Sequence, residues 1–139
     1  DNDEAKTSLL KIIDQLDYFT STYELNPKDI GLIGFSQGAI LSWALLLDHP
    51  FLFRRAICMS GYINQEILQK PLREYQDVLA YCSHGSNDLT IPYEWAKSSI
   101  ECLKVKNPEV VFNTYPDGHN LSPENFESIL KWIKKTTLE

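Results

Sequence analysis

The sequence predicts a single α/β domain in which a parallel β-sheet carries helices on both faces. Short, continuously apolar runs of the kind found in fully covered strands recur along the 139 residues. Segments with helical apolar spacing lie between these runs, so that an initial helix is followed by four strand–helix units. Strands that alternate with helices in this way run parallel and are joined by right-handed crossovers. No repeat, low-complexity tract or linker interrupts the pattern, so residues 1–139 are expected to form one domain.

The N-terminal segment predicts an amphipathic helix over 4–23 and then a strand over 30–35. Apolar residues recur in the helix at the spacing of one face, with charged and amide side chains between them: Leu9, Ile12, Ile13, Leu16 and Phe19 or Thr20. The sequence Asn-Pro-Lys-Asp at 26–29 breaks this helix and turns the chain into the strand. Asp29 therefore enters the strand at its amino end.

The middle of the chain predicts a buried helix and two covered strands. The segment 37–48 is apolar nearly all round, which is typical of a helix buried on several sides, and His49, before a proline, ends it. The runs 55–60 and 78–83 are short and apolar, the pattern of strands covered on both faces. Between them, residues 63–74 predict a loop with a short helix.

The C-terminal part predicts two amphipathic helices, one on each side of a strand over 110–115. Pro92 starts the first helix, and its inward face is expected to hold Trp95, Ala96, Ser99, Ile100 and Leu103. Ser122 is the predicted N-cap of the last helix, with Pro123 at the first helical position. The inner face of this last helix is expected to hold Phe126, Ile129, Leu130 and Ile133.

Composition and charge argue against several classes of function. The net charge of −6 disfavours nucleic acid and anionic membrane surfaces as partners. No apolar stretch is long enough to cross a bilayer and no signal peptide is visible, so a cytoplasmic location is expected. The three cysteines show no metal-ligand spacing, and Cys58 and Cys82 lie within apolar runs. Buried reduced thiols are therefore expected, and no metal site.

The most informative motif is Gly34-Phe35-Ser36-Gln37-Gly38, which lies between the first strand and the helix that follows it. A Gly-x-Ser-x-Gly pentapeptide in that position predicts a nucleophile elbow, a sharp turn that lifts a serine hydroxyl above the edge of a parallel sheet. The turn strains the serine backbone and brings together the residues two before and two after it, where both glycines are expected to avoid a collision. Ser36 is the predicted nucleophile.

A serine hydroxyl needs a base to take its proton, and the chain holds three histidines. His49 lies at the end of a helix, where a helix-end interaction explains it. His84 ends the third strand and is interpreted as a turn residue, with the role of base as its alternative. His119 follows the fourth strand, at the carboxyl edge of the sheet that the elbow also occupies, and is the predicted base.

The base in turn needs a carboxylate that fixes its tautomer. Asp88 lies in the loop after the third strand, at the same edge of the sheet, and gives the chain order Ser36, Asp88, His119. Asp117 is the competing candidate, but a carboxylate two residues from His119 is more typical of a turn or a solvated side chain. Asp29 lies at the opposite edge of the sheet.

Four segments occur in a specific order: Gly34 to Ala39, Met59-Ser60-Gly61-Tyr62, the run HGSNDLTIP at 84–92 and the run YPDGHNLSPE at 115–124. Together they resemble the phospholipase/carboxylesterase family, the small α/β-hydrolases that include the acyl-protein thioesterases. The resemblance covers essentially the whole chain. It implies an α/β-hydrolase fold and hydrolysis of carboxylic esters or thioesters through an acyl-serine intermediate, with no metal or organic cofactor. By motif match it implies Ser36 as nucleophile, Asp88 as acid and His119 as base.

The chain departs from the pattern of this family at its start. Family members carry several strands and a His-Gly-x-Gly loop before this point, and that loop supplies one backbone donor of the oxyanion hole, the other being the amide of Gln37. The chain is therefore expected to be the C-terminal portion of the fold, with the elbow strand left as a sheet edge. A fragment of a normal enzyme is the favoured explanation. A truncated product, or a second chain that supplies the missing part, as in a homodimer, is the alternative.

Substrate contacts are expected from the same edge of the sheet. Tyr62, Leu89 and Ile91 are predicted to line an acyl pocket, with ordinary packing as the alternative. No cluster of basic residues near the site suggests a phosphate-bearing substrate, so a small neutral or lipid-like ester or thioester is favoured. Two other functions stay open: a non-catalytic α/β module that lacks half of the oxyanion hole, and a hydrolase of peptides or lactones.

Overall fold

The computed structural model describes residues 2–23, 30–69, 78–106 and 109–137. Helices and strands alternate in these segments in the predicted order. Along the chain they are α1 (Asn2–Tyr23), β1 (Gly31–Phe35), α2 (Gln37–Asp48), β2 (Arg55–Met59), α3 (Gln65–Leu68), β3 (Leu79–Gly85), α4 (Tyr93–Lys104), β4 (Val110–Tyr115) and α5 (Pro123–Thr136). The predicted break at 26–29, with Asp29, lies outside the described residues.

The four strands form one parallel sheet in the order β1-β2-β3-β4, so that neighbours along the chain are also neighbours in the sheet. The predicted parallel α/β sheet is therefore confirmed. The carboxyl ends of the strands share one edge of the sheet, and ligand and catalytic groups collect at such an edge. The loops that carry Ser36, Asp88 and His119 begin there, after β1, β3 and β4 respectively.

The larger core lies on the face of the sheet that α1, α2 and α4 cover. α1 contributes Leu9, Ile12 and Ile13 to it, and α4 contributes Ile100 and Leu103. α2 is buried over most of its surface, as its apolar composition predicts, through Ala39, Ser42, Trp43, Ala44, Leu45, Leu46 and Leu47. This packing fixes the start of α2, and with it the preceding turn, against the sheet.

α5 covers the opposite face, where Ile129 and Trp132 pack against Ile57, Met59 and Tyr81 of β2 and β3. The prediction of helices on both faces is thus confirmed. Because α5 packs over β2 and β3, it fixes the C-terminal end of the loop that follows β4.

The predicted inner face of α5 is wrong in part, since Phe126 and Leu130 are 51% and 50% exposed. The inward position belongs to Asn125, which is buried. Its side-chain amide accepts a hydrogen bond from the Tyr81 hydroxyl at 2.7 Å and donates one to Ser83 Oγ at 2.8 Å. A polar residue whose amide oxygen and nitrogen are both hydrogen-bonded therefore occupies a buried position of the helix, and a search for apolar residues at helical spacing does not find such a position.

Trp95 is the one wrong prediction on α4, because the other four residues predicted to face inward are buried: Ala96, Ser99, Ile100 and Leu103. The Trp95 side chain is 54% exposed, and its ring lies edge-on to that of Tyr62, with 5.5 Å between centroids. It precedes Ala96 by one residue, a rotation of about 100° around the helix axis. That rotation moves it off the stripe that contacts the sheet.

β1 is an edge strand among the described strands, as expected, since only β2 pairs with it. On the face that α5 partly covers, Ile33 of β1 is 65% exposed and Phe35 is also exposed. The strand therefore presents both apolar surface and a row of backbone groups with no described strand beside them.

The predicted buried thiols are confirmed: Cys58 and Cys82 are buried, Cys102 is exposed, and all three are free. Burial raises the pKa of the Cys58 and Cys82 thiols. In the described segments, no helix combines the length and the apolar character that a membrane crossing requires.

Candidate active site

Ser36 lies in the turn between β1 and α2 with φ 59° and ψ −117°, a conformation that non-glycine residues rarely adopt. Its backbone N–H donates to the carbonyl oxygen of Met59 at 2.8 Å, and its carbonyl oxygen accepts from the N–H groups of Ala39 and Ile40. These hydrogen bonds hold the strained backbone in place. A strained serine between a strand and a helix has the geometry of the predicted elbow.

The two glycines of the pentapeptide have different surroundings. A Cβ atom on Gly34 would lie 2.2 Å from the carbonyl oxygen of Gly38, so the close approach excludes a side chain at Gly34. A Cβ atom on Gly38 would meet nothing within 4 Å in the described part of the chain. The expected steric role is therefore borne out for Gly34 and wrong for Gly38, because a side chain at Gly38 would extend into open space.

His119 connects the elbow serine to a carboxylate. Its Nε2 atom lies 3.0 Å from Ser36 Oγ, and its Nδ1 atom lies 2.7 Å from Asp88 Oδ2. Since a carboxylate only accepts hydrogen bonds, Nδ1 carries the hydrogen, and Nε2 is left to accept from the Ser36 hydroxyl. The structure thus brings the three predicted residues into one hydrogen-bonded chain from loops that follow three different strands.

Asp88 is buried, and its two carboxylate oxygens have separate partners. Oδ1 accepts hydrogen bonds from the backbone N–H groups of Thr90 and Ile91, both at 2.9 Å, while Oδ2 faces His119. Burial acts to raise the pKa of the Asp88 carboxyl, but the hydrogen bonds from His119, Ile91 and Thr90 outweigh it, so that the pKa lies below its ordinary value. Asp88 is therefore held in the ionised form that accepts from both sides.

A close backbone approach at Gly85 brings the loop of His119 against the loop of Asp88. A Cβ atom on Gly85 would lie 2.2 Å from the carbonyl oxygen of Asp117, so a side chain there would push the two loops apart. The same loops are joined by backbone hydrogen bonds from Ser86 to Tyr115 at 2.8 Å and from Asn87 to Asp117 at 2.9 Å. Gly85 is thus needed for the distance between His119 and Asp88.

The competing candidates lie elsewhere or have other partners. Asp117 takes part in the loop contact through its backbone carbonyl, and it is the carboxylate of Asp88 that contacts His119 Nδ1. His49 follows the last residue of α2 and its N–H donates to the carbonyl of Leu45 at 2.9 Å, which agrees with the predicted helix-end role.

The interpretation of His84 as a turn residue is wrong, because β3 continues through Gly85. His84 is 1% exposed, and its side chain lies beside the candidate acid. Its Nε2 atom lies 2.7 Å from the Ile91 carbonyl oxygen and 3.4 Å from Asp88 Oδ2. The available sequence signal was a histidine at the end of a covered strand, four residues before the acid.

Gln37 and the predicted pocket residues lie around this edge. Gln37 is the first residue of α2, so its backbone N–H is one of those at a helix start that lack an intrahelical acceptor. Tyr62 lines a surface cavity of about 650 Å³ between α3 and α4, and Trp95 is another of its lining residues. Leu89 is 97% exposed, and neither it nor Ile91 lines this cavity. The pocket roles of these residues stay predictions.

The arrangement provides the groups that acyl transfer requires: a hydroxyl, an imidazole that can take its proton, and a carboxylate that stabilises the charged imidazole. In the described segments, no group of three or more His, Cys, Asp or Glu side chains has an arrangement that could hold a metal ion.

Several known proteins are similar in sequence. "Probable carboxylesterase SOBER1-like" of Arabidopsis thaliana is 28% identical in an alignment 114 positions long, which covers 80% of this chain and 44% of the relative. "Acyl-protein thioesterase 1" of Cryptococcus neoformans is 24% identical in an alignment 149 positions long, gaps included, which covers 96% of this chain and 63% of the relative. A probable inactive carboxylesterase of Oryza sativa is 25% identical in an alignment 113 positions long, which covers 79% of this chain and 46% of the relative. The chain spans about half the length of these relatives.

Solved structures share the fold. The crystal structure of Arabidopsis thaliana SOBER1 matches with a TM-score of 0.81 at 24% identity, over 97% of this chain and 65% of that chain. The Bacillus cereus carboxylesterase matches with a TM-score of 0.84 at 16% identity, over 99% of this chain and 64% of that chain. The four-stranded parallel sheet with its helices is thus part of an α/β-hydrolase fold.

The family model described as Phospholipase/Carboxylesterase matches residues 1–137. This range includes the elbow serine and the loops of Asp88 and His119. The chain therefore belongs to the phospholipase/carboxylesterase family.

Proposed function

We propose that this chain carries the catalytic residues of a serine hydrolase that cleaves carboxylic esters or thioesters through an acyl-serine intermediate. The observation that carries the proposal is the chain of hydrogen bonds from Ser36 Oγ to His119, at 3.0 Å, and from His119 to Asp88, at 2.7 Å. Relatives named carboxylesterase and acyl-protein thioesterase support the choice of ester or thioester.

In the first half of the reaction, Ser36 Oγ attacks the carbonyl carbon of the substrate while His119 Nε2 takes the hydroxyl proton. The carbonyl oxygen becomes an oxyanion, and Asp88 stabilises the imidazolium. The tetrahedral intermediate then collapses, the bond to the leaving oxygen or sulfur breaks, and Nε2 returns its proton to that atom. The products of this half are an alcohol or thiol and acyl-Ser36.

In the second half, water takes the place of the leaving group. His119 Nε2 accepts a proton from the water as its oxygen attacks the acyl carbon, and then gives that proton to Ser36 Oγ as the acyl bond breaks. The carboxylic acid leaves and the free serine is restored. The N–H of Gln37 is the proposed donor to the oxyanion in both halves. A second donor is needed for full activity, since loss of one such donor costs roughly a hundred- to a thousandfold in rate.

An apolar acyl group is the proposed substrate feature, because exposed apolar side chains lie next in sequence to the candidate catalytic residues. Phe35 precedes Ser36, the almost fully exposed Leu89 follows Asp88, and Leu121 lies two residues after His119. Exposed apolar side chains at a site are typical of ligand contact, and the Phe35 ring lies beside that of His119, with 4.9 Å between centroids.

The test is labelling with a fluorophosphonate, which reacts covalently with activated serine hydroxyls, together with turnover of p-nitrophenyl acetate. We expect labelling at Ser36 and loss of the label in Ser36→Ala. The matched control is Ser86→Ala, at a nearby exposed serine, which should be labelled like the native protein. Esters of increasing acyl length then test the apolar preference, which predicts a rise in kcat/KM. Labelling at a residue other than Ser36 would contradict the proposal.

A second candidate is a non-catalytic module of the same family, which the inactive rice relative favours. A folded sample with no fluorophosphonate label and no ester turnover would support this module over the enzyme. A chain extended to the length of its relatives also distinguishes the enzyme from the non-catalytic module. An enzyme that lacks only an oxyanion donor would recover ester turnover on extension, whereas a non-catalytic module would not.

A further inference from the structure

His84 is a buried histidine beside the site to which the proposed reaction gives no role. Its side chain and that of Asp88 are both fully buried, and its Nε2 atom lies 3.4 Å from Asp88 Oδ2. The same Nε2 atom lies 2.7 Å from the carbonyl oxygen of Ile91. The Tyr93 ring lies beside it, with 6.1 Å between ring centroids.

The neighbours of His84 fix its tautomer. Both groups that face Nε2, a backbone carbonyl and a carboxylate, only accept hydrogen bonds, so Nε2 carries the hydrogen. The Nδ1 atom is buried and has no hydrogen-bond partner among the residues that the structure describes. A hydrogen on Nδ1 would therefore be a buried donor without an acceptor, a costly state, whereas an unpaired ring lone pair costs less.

Two hydrogen bonds, both made by Ile91, connect His84 to the candidate acid. His84 Nε2–H donates to the Ile91 carbonyl, and the N–H of the same residue, Ile91, donates to Asp88 Oδ1. His84 thus fixes Ile91, and Ile91 in turn fixes the Asp88 carboxylate. With Oδ1 fixed by the backbone, and His84 Nε2 beside Oδ2, the second carboxylate oxygen is directed at His119 Nδ1.

We infer that His84 is a positioning residue, which orients the Asp88 carboxylate toward His119 by holding the 88–91 turn through its Nε2–H. The inference rests on the proposed function, in which Asp88 fixes the tautomer of His119. Supporting groups that lock the orientation of a catalytic side chain are expected wherever a small misplacement is costly, and a shift of about 1 Å can cost a hundredfold in rate.

Two substitutions distinguish the effect of the His84 Nε2–H donor from the effect of the ring volume. His84→Phe keeps an aromatic ring and removes the donor, while His84→Gln can place an amide N–H near the position of Nε2. His49→Gln, at the end of α2, is the control for a histidine substitution away from the site. Thermal unfolding of each variant shows whether the fold is kept.

The first readout needs no substrate. Heteronuclear NMR of the imidazole nitrogens reports which nitrogen of each histidine carries hydrogen. We expect His84 in the Nε2–H form and His119 in the Nδ1–H form in the native protein. In His84→Phe we expect His119 to become a mixture of tautomers, and in His84→Gln to regain the Nδ1–H form. A native His84 with hydrogen on Nδ1, or an unchanged His119 in His84→Phe, would overturn the inference whether or not the protein hydrolyses esters.

The second readout is the pH profile of kcat/KM. His84→Phe should lower kcat/KM by about ten- to a hundredfold and move the acid limb of the profile to lower pH, since a poorly oriented carboxylate stabilises the imidazolium less. His84→Gln should restore both. Combined with Asp88→Asn, His84→Phe should have almost no further effect, because it acts through that carboxylate. An additive loss, or a loss without a shift of the acid limb, would show a role in packing only and overturn the inference.

Discussion

At the scale of single residues, the hydrogen bonds to Asp88 make the folded protein sensitive to acid. The pKa of Asp88 is lower in the folded protein than its ordinary value, because hydrogen bonds from His119, Ile91 and Thr90 outweigh burial. The folded state then binds this proton less tightly than the unfolded chain. The ionised carboxylate therefore contributes its full stabilisation above the unfolded pKa of about 3.9 and loses it as the pH falls through the lower folded value.

Asp88→Asn tests this linkage. The difference in free energy of unfolding between the native protein and the variant should be larger at pH 5 than in stronger acid, and it should shrink as the pH falls below about 4. Urea unfolding of both proteins across the acid range measures the difference, and the other carboxylates cancel in it. A difference that stays the same to the lowest accessible pH would show that Asp88 is not held in its ionised form by these contacts.

The cysteines offer a second test at this scale. Cys58 and Cys82 are buried with raised pKa values, and Cys82 Sγ donates to the Val111 carbonyl at 3.2 Å, whereas Cys102 is exposed. Since the thiolate is the reactive form, iodoacetamide should modify only Cys102 in the folded protein and all three thiols after unfolding, as peptide mass spectrometry would show. Cys102→Ser is the control and should resist modification until it unfolds. Rapid modification of Cys58 in the folded protein would contradict the packing of α2 on the sheet.

At the scale of elements, the elbow depends on one of its two glycines. Gly34→Ala would place a methyl group against the Gly38 backbone, and we expect a loss of about 3 kcal/mol in stability, together with loss of fluorophosphonate labelling. Gly38→Ala is the matched control, equally far from Ser36. It has open space and lies in the first turn of α2, so its stability should change by less than about 1 kcal/mol. Equal effects of the two substitutions, measured by urea unfolding, would contradict the elbow geometry.

α5 shows how an element is oriented by its polar residues. Asn125 is joined to Tyr81 and Ser83 of β3, and the Tyr115 hydroxyl, which donates to Ser128 Oγ at 2.7 Å, connects the helix to β4 as well. These bonds tie the helix to two strands, beyond the apolar contacts of Ile129 and Trp132. They hold the start of α5, which follows the loop that carries His119.

At the scale of the whole molecule, the β1 edge is expected to promote association of the chain with itself. An apolar edge strand is a template for pairing with another chain, and Ile33 is largely exposed on it. Light scattering after size-exclusion chromatography should show association that rises with concentration. Ile33→Lys should reduce it, while Val105→Lys, which removes an even more exposed apolar residue after α4, should not. A monomer at every concentration, or equal effects of both substitutions, would contradict this expectation.

The order of helices and strands, the parallel sheet, and the edge where Ser36, Asp88 and His119 lie could all be predicted from the sequence. Each depends on local patterns: apolar runs, helical spacing, and turn residues at strand ends. The carboxyl ends of parallel strands necessarily share an edge, so chain order alone brings the loops after β1, β3 and β4 to the same side.

The tertiary structure decided what depends on contacts between distant segments. Helical periodicity defines an apolar stripe but not the angle at which the stripe meets the sheet, so the exposure of Trp95, Phe126 and Leu130 followed from packing. The burial of Asn125 and His84 depends on hydrogen-bond partners that only the folded chain brings within reach. The distance of 3.0 Å between Ser36 Oγ and His119 Nε2 joins residues 83 positions apart, and such a distance is set by the packing of loops against one another, which no local pattern encodes.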